Sequence, residues 1–242
     1  MPITIHTSNR MEILLEHLAE ILKEPAGSVL AQETIVVQSR GMERWISMEL
    51  AKKFGMWGNS AFPFPNKFIW DLFTSTMPDV HKSDCFDREI LTWRIITALD
   101  LVLDTPAFKE LQTYLAGHSR GLKLYQLAGK IADTFDQYTL YRGDILERWE
   151  SGADSDWQAI LWRALAGEGM GDHRARVKIE FLTRLAGGQI DTTRFPKRIL
   201  VYGLSYMPSF HMDVLAGVAS FTDVHIFALS PCREYWLSLI HI

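Results

Sequence analysis

This sequence predicts an α/β fold built on a parallel sheet, P-loop-like in its start and interrupted by a large all-helical subdomain. Three observations carry the prediction. Strand–loop–helix patterning occurs twice before Phe54, residues 86–181 show helical periodicity with no strand pattern, and a buried-strand run returns at Arg198–Tyr202, RILVY. Strands that alternate with helices give parallel sheets with right-handed crossovers.

In chain order, Pro2–His6 alternates as a strand. Ser8 or Asn9 is suited to cap the helix that follows. Met11, Leu14, Leu15, Leu18, Ile21 and Leu22 fall at helical spacing, with Glu12, Glu16 and Glu20 on the other face. Pro25–Ser28 is a turn. Thr34–Val37 is the second strand and Gly41–Phe54 its helix, with Met42, Trp45, Ile46 and Leu50 inward. In Ala61–Trp70, AFPFPNKFIW, Pro63 and Pro65 favour extended backbone. Asn66 is then expected to cap a helix carrying Phe68, Ile69, Leu72 and Phe73.

The helical region divides by its apolar spacing. One helix carries Ile90, Leu91, Ile95, Ile96 and Leu99, and a shorter one Phe108, Leu111, Tyr114 and Leu115. A third carries Leu124, Leu127, Ala128, Ile131, Phe135 and Tyr138. Trp149 marks a further short element, Trp157, Leu161, Trp162 and Leu165 another, and Val177, Phe181 and Leu185 the last. After Arg198–Tyr202 come a turn ending at Met207-Pro208, a helix over His211–Val218 and a buried strand at Val224–Leu229. Pro231–Trp236 leaves that strand. The final LSLIHI, residues 237–242, continues no pattern and reads as a non-native tail, the translated end of a sequencing adaptor, which implies a longer natural chain.

Composition narrows the function classes. The 242 residues are 48% hydrophobic and 22% charged, ordinary for one or two globular domains. A net charge of −4 argues against a generally basic nucleic-acid coat, but the charge is uneven. Residues 34–70 carry a net +3, 71–171 a net −6 and 172–198 a net +4. Two cysteines, Cys85 and Cys232, exclude a disulfide framework and a Cys-rich zinc site. No apolar signal region opens the sequence, and no apolar run approaches the roughly 20 residues of a membrane span. The expected setting is a soluble protein in a reducing cytoplasm, with no membrane partner.

The chemistry points first to Thr34–Trp45, TIVVQSRGMERW, where Gln38, Ser39, Arg40 and Arg44 cluster at a strand-to-helix turn. Ligands of open α/β sheets sit outside the carboxyl ends of strands. A phosphate cradle, G-x-x-x-x-G-K-[ST], wraps phosphates in glycine backbone and neutralises them with lysine. The first loop, His6–Arg10, has neither glycine nor lysine, and RILVY runs into Gly203-Leu204-Ser205 with no acid to hold Mg²⁺. Both halves of an ATP site are missing. Phe62, Phe64, Phe68 and Trp70, beside Lys67, either stack bases, worth about 1–3 kcal/mol each, or are core. Asp133, Asp136 and Gln137 stand at i, i+3 and i+4 on one helix face, with Arg142 just beyond. That face admits several readings: a metal site, acceptors for cytosine amino groups, carboxylates that position arginines, or a solvated surface.

Six blocks carry a resemblance: HTSNRMEILLEHL, IVVQSRGMERWISMELAKKFGMWGN, FPFPNKFIWDLF, KLYQLAGKIADTFDQYTLYR, ILVYGLSYMP and FALSPCREYW. In this order, from about residue 3 to Trp236, they resemble the N-terminal part of the RecC family, the gamma subunits of exodeoxyribonuclease V, the RecBCD helicase–nuclease. The resemblance implies an inactive superfamily 1 helicase domain over 1–72 and 191–236, with the helical subdomain inserted at 73–190. It implies a non-catalytic subunit acting in double-strand-break repair by homologous recombination. Such a subunit splits the duplex, channels the 3′-ended strand and reads the Chi sequence. The implied partners are single-stranded and forked DNA and RecB-like and RecD-like subunits of a heterotrimer in the bacterial cytoplasm. No cofactor belongs to this chain, ATP and Mg²⁺ being held by the partner subunits.

Carried over by motif, the Chi-reading positions are Gln38, Arg40, Arg44, Phe64, Trp70, Asp133, Thr134, Asp136, Gln137, Arg142 and Arg174. Phe62 and Phe68 stay core. Arg40 and Arg44 depart from a Thr and a Gln of the enterobacterial-like pattern. Arginine suits guanine O6/N7 or phosphate where glutamine suits adenine, so the octamer read is expected to differ or to be read more weakly. An assembly scaffold for the motor subunits, without sequence recognition, is the alternative.

Overall fold

The structure is a computed structural model that describes residues 3–28, 31–80, 83–167 and 172–230. The expectations for Pro231–Trp236 and for the tail at 237–242 lie outside the described residues. Two compact units emerge: Met1–Pro78 with Arg184–Ile242, and Asp79–Thr183.

The first unit is α/β with a wholly parallel sheet. Its strands are β1 (Ile3–Ser8), β2 (Glu33–Val37), β3 (Ser60–Ala61), β4 (Arg198–Tyr202) and β5 (Asp223–Leu229), in the order β1-β5-β4-β2-β3. The central strands read as unbroken apolar runs because both faces are covered. Ile35, Val37, Leu200, Tyr202 and Phe227 face α1 (Met11–Leu22) and α2 (Arg40–Phe54). Val36 and Val201 face the opposite side, with Phe68 and Ile69 of α3 (Pro65–Thr76) and His211 and Leu215 of α10 (Ser209–Val218). At the amino ends of β2 and β4, Glu33 and Arg198 form a buried ion pair at 2.5 Å. Arg198 also donates to the carbonyls of Ile21 (2.9 Å) and Glu24 (3.1 Å), the loose end of α1.

Local chemistry departs from expectation at both early caps. Ser8 stays in β1, and Arg10 precedes α1 without a side-chain cap. Asn66 is not a cap either. Pro65 enters at the first turn of α3, where its fixed φ is already helical and its missing N–H is no loss, and Asn66 Oδ1 pairs instead with His211 Nε2 at 2.9 Å. Strand β3 was not foreseen; two residues are too few for an alternation to register.

The second unit is helical, as the periodicity predicts: α4 (Arg88–Val102), α5 (Lys109–Leu115), α6 (Arg120–Tyr141), α7 (Gly143–Glu150), α8 (Trp157–Leu165) and the start of α9 (Arg174–Ala186). Its core gathers Leu91, Ile95, Leu99, Phe108, Ile131, Phe135, Trp149 and Trp162. Ile90 and Tyr114, expected inward, are exposed. They fall at the edge of stripes already filled by Leu91 and Leu115. Glu150 anchors α7 to α9 through His173 and Arg176, each at 2.7 Å, and takes the Trp162 indole N–H at 2.9 Å. No helix among the described residues is long and apolar enough to cross a membrane.

Candidate nucleic-acid interface

In the sheet unit the candidate residues gather at the carboxyl end of β2. Ser39 caps α2, its hydroxyl accepting from the Met42 N–H at 3.2 Å. That cap turns the chain sharply and leaves Gln38, Arg40 and Arg44 exposed around the turn. Gln38 Oε1 accepts from the Ser205 hydroxyl at 3.2 Å, on the turn after β4. Past β3 the chain keeps to the β2 edge, with Val37 N–H donating to Pro63 C=O at 3.1 Å. This carries Phe64 under the Arg40 guanidinium, 5.6 Å from the ring centroid. Arg40 also reaches Glu43 at 2.8 Å, while Arg44, one turn further along, forms no ion pair among the described residues. Trp70 stands apart on α3, half-buried and edge-on to Phe73 at 5.9 Å. Phe68 is buried and Phe62 packs on the core, as expected.

The same edge carries the loops that hold phosphate in a P-loop protein. Gly203 turns β4 outward with φ +65°, and a Cβ there would stand 2.9 Å from Met11 Cε and 3.2 Å from Met42 Cε. The Tyr202 hydroxyl donates to Met11 C=O at 2.6 Å. Burial first, and the negative charge of Glu12 second, raise the Tyr202 phenol above its ordinary range. Two thioethers and a tyrosine fill this corner of the sheet.

In the helical unit the acidic face of α6 positions arginines. Asp136 pairs with Arg174, whose Nε also donates to Thr139 Oγ1 at 2.7 Å. Arg174 is largely buried. Burial draws its guanidinium down to about 10, against the pull of Asp87, so it stays charged at neutral pH. Asp133 pairs with Arg88 at the head of α4. Thr134 donates back to Lys130 C=O at 2.9 Å, and Gln137 is exposed. Arg142 breaks the chain between α6 and α7 and holds Asp144 with two bonds of 3.1 Å, which raise the pKa of Arg142 and lower that of Asp144. No group of three or more His, Cys, Asp or Glu side chains among the described residues is arranged to hold a metal ion.

Comparison with known proteins fixes the kinship. A family model described as "RecC, N-terminal domain" matches residues 3–241. The chain belongs to the RecC family. It is 33% identical to the RecBCD enzyme subunit RecC of Haemophilus influenzae and 35% identical to that of Escherichia coli K12, over 96% of its length in each case. It is 26% identical to the RecC subunit of Mycolicibacterium smegmatis over 99% of its length. The chain spans about a quarter of the length of the curated RecC relatives it matches.

Reading by spacing passed over two features. Arg88 is 45 residues from its partner Asp133, and nothing local announces the pair. Trp93 and Tyr125 did leave a signal: each lies off the apolar phase of its helix, and each is exposed.

Proposed function

We propose that this chain is the N-terminal part of a non-catalytic, DNA-reading subunit of a RecBCD-type helicase–nuclease acting in recombinational repair in the bacterial cytoplasm. In this reading the sheet unit is an inactive superfamily 1 helicase domain and the helical unit its inserted subdomain. RecB-like and RecD-like partners supply ATP, Mg²⁺ and catalysis, while this subunit splits the duplex, guides the 3′ strand and reads Chi.

One observation carries the reading. The β2 edge offers Gln38, Arg40, Arg44 and Phe64 outward, while Met11, Met42 and Tyr202 pack together beside Gly203 at the adjoining corner. An edge lined with exposed cations and an aromatic ring suits a polyanion with bases. Arg40 and Arg44 fit guanine or phosphate better than adenine.

The test is a Chi-response assay on the full-length complex carrying Arg40→Thr and Arg44→Gln, with strand crosslinking in parallel. The expected result is a changed preferred octamer and crosslinks at Trp70 or Asp136. A salt slope of single-strand affinity lowered by about 0.7 per arginine removed would mark phosphate contact. ATP hydrolysis by the isolated subunit that vanishes on changing Ser8 or Asn9 would sink the reading. The scaffold alternative draws on a different observation: Asp133, Asp136, Arg142 and Arg174 are all already paired within the unit. An unchanged Chi response with no crosslink at either residue would favour it.

A further inference from the structure

We propose that the groove between α4 and α6 is a stacking site for successive bases of single-stranded DNA, an inference that rests on the DNA-reading function above. The groove, about 860 Å³, lies within the helical unit, its walls including Arg88 and Trp93 of α4 and Tyr125, Lys130 and Asp133 of α6. Four observations point to a base-bearing ligand.

The first is the aromatic pair. Trp93 is 63% exposed and Tyr125 51%, with ring centroids 5.7 Å apart and planes tilted by 48°. The tilt makes them two neighbouring platforms rather than a closed stack. Both helices bury their opposite faces without these rings, so the unit's core does not require them. Tyr114 of α5 adds a third exposed ring at the groove, with Lys123 Nζ 5.6 Å above it.

The second is a glycine. Gly129 stands within α6, where glycine costs about 1 kcal/mol relative to alanine. A Cβ there would meet nothing within 4 Å, and Gly129 lines the groove. Nothing in the unit needs the missing side chain, whereas a ligand lying close against the helix does.

The third is charge. Lys130 is exposed and forms no ion pair among the described residues, and Arg88 stands two-thirds exposed above its partner Asp133. Cations that alternate with aromatic faces are how single strands are gripped without sequence preference. A protein-binding hot spot has an apolar centre depleted of charge, but here Arg88, Lys130, Glu89, Asp133 and Gln126 form the walls themselves, two cations beside two carboxylates.

The fourth is direction. From Asp133 in the groove wall, Asp136 and Gln137 continue the face of α6 onward, and Tyr125 to Gln137 spans roughly 18 Å along the helix. Bases stacked in the groove would lead toward the polar groups of the reading face.

The test measures anisotropy of labelled oligothymidylate on the full chain, with crosslinking by 5-iodouracil and peptide mapping. Trp93→Ala and Tyr125→Ala are each expected to weaken binding about 5- to 100-fold, and Trp93→Phe to restore most of the loss. Gly129→Leu should weaken binding with both rings intact. Crosslinks should map to Trp93 or Tyr125. All three positions line the groove, so melting temperatures should stay near the parent's. Should an alanine variant melt early, the crosslink and Gly129→Leu decide the matter. Unchanged affinity in the groove variants, with loss in Arg40→Ala, Arg44→Ala or Trp70→Ala, overturns the groove and leaves DNA reading standing. No single-strand binding by any form overturns both. Groove variants that keep DNA affinity but lose a co-eluting motor subunit assign the groove to a protein partner and overturn the proposal.

Discussion

The two units keep their charges in opposite places. The sheet unit buries one ion pair, Glu33–Arg198, at the amino ends of the strands and leaves Arg40, paired only with Glu43 of its own helix, and Arg44 exposed at the carboxyl ends. The helical unit ties its charges together on the candidate face itself, in Asp136–Arg174, Asp133–Arg88 and Arg142–Asp144. In the first unit the residues that hold the fold and those offered to a ligand are different residues. In the second they are the same. Substitutions at the sheet edge should therefore separate binding from stability, and substitutions of the paired residues Asp133, Asp136 and Arg174 should not.

The largest effect tests the buried pair. Arg198→Met leaves Glu33 buried without its cation and removes two carbonyl bonds at the end of α1. It should cost about 3–5 kcal/mol in urea unfolding, and adding Glu33→Leu should recover much of that. A cost below about 1 kcal/mol would mean the pair is solvated in solution, and the contrast between the units would weaken.

Next comes acid. Burial pushes Glu150 up, but hydrogen bonds from His173, Arg176 and Trp162 outweigh it and hold the carboxyl at about 2 against an ordinary 4.5. A depressed carboxyl stabilises the fold above its unfolded pKa, so this contribution is lost as pH falls from about 4.5 to 2, roughly 2–3 kcal/mol in all. Glu150→Gln should flatten that limb of a stability–pH curve. The sheet unit answers at a different pH. His6 and His225 are held below the ordinary 6.5, chiefly by burial, so its acid weakening should begin near pH 6.5. Melting followed separately in each unit from pH 7 to 3 would resolve the two.

A smaller effect addresses the coupling directly. Asp136→Asn strips the carboxylate from a largely buried arginine and should cost about 1–3 kcal/mol, whereas Arg44→Ala should stay within about 0.5 kcal/mol of the parent. Equal costs would remove the distinction between the units. Smallest is the cap: Ser39→Ala should lower stability by about 1 kcal/mol and loosen the turn that presents Arg40.

Much of this was legible in the sequence because it is local. The apolar run Ile35–Val37 followed by Ser39 fixes strand, turn and helix within a few residues, and the 3.6-residue periods of α4, α6 and α8 survive any tertiary arrangement. What was not legible is set by distance along the chain. That β5 lies between β1 and β4, or that Arg174 reaches Asp136 across 38 residues, depends on packing that no local spacing encodes. The acidic face of α6 was read as four alternatives, and its resolution into arginine-holding pairs required the partners' positions.

The corner beside Gly203 has a consequence for how the sheet and its helices are tied. A Cβ at position 203 would press on the methyl groups of Met11 and Met42 together, so the first residues of α1 and α2 share one constraint. The Tyr202 hydroxyl, next in the chain, holds the Met11 carbonyl, so α1 is fixed to β4 by its backbone as well as by its side chain. Gly203 thus works as a keystone: enlarging it would move the starts of two helices at once, one of them carrying Arg40.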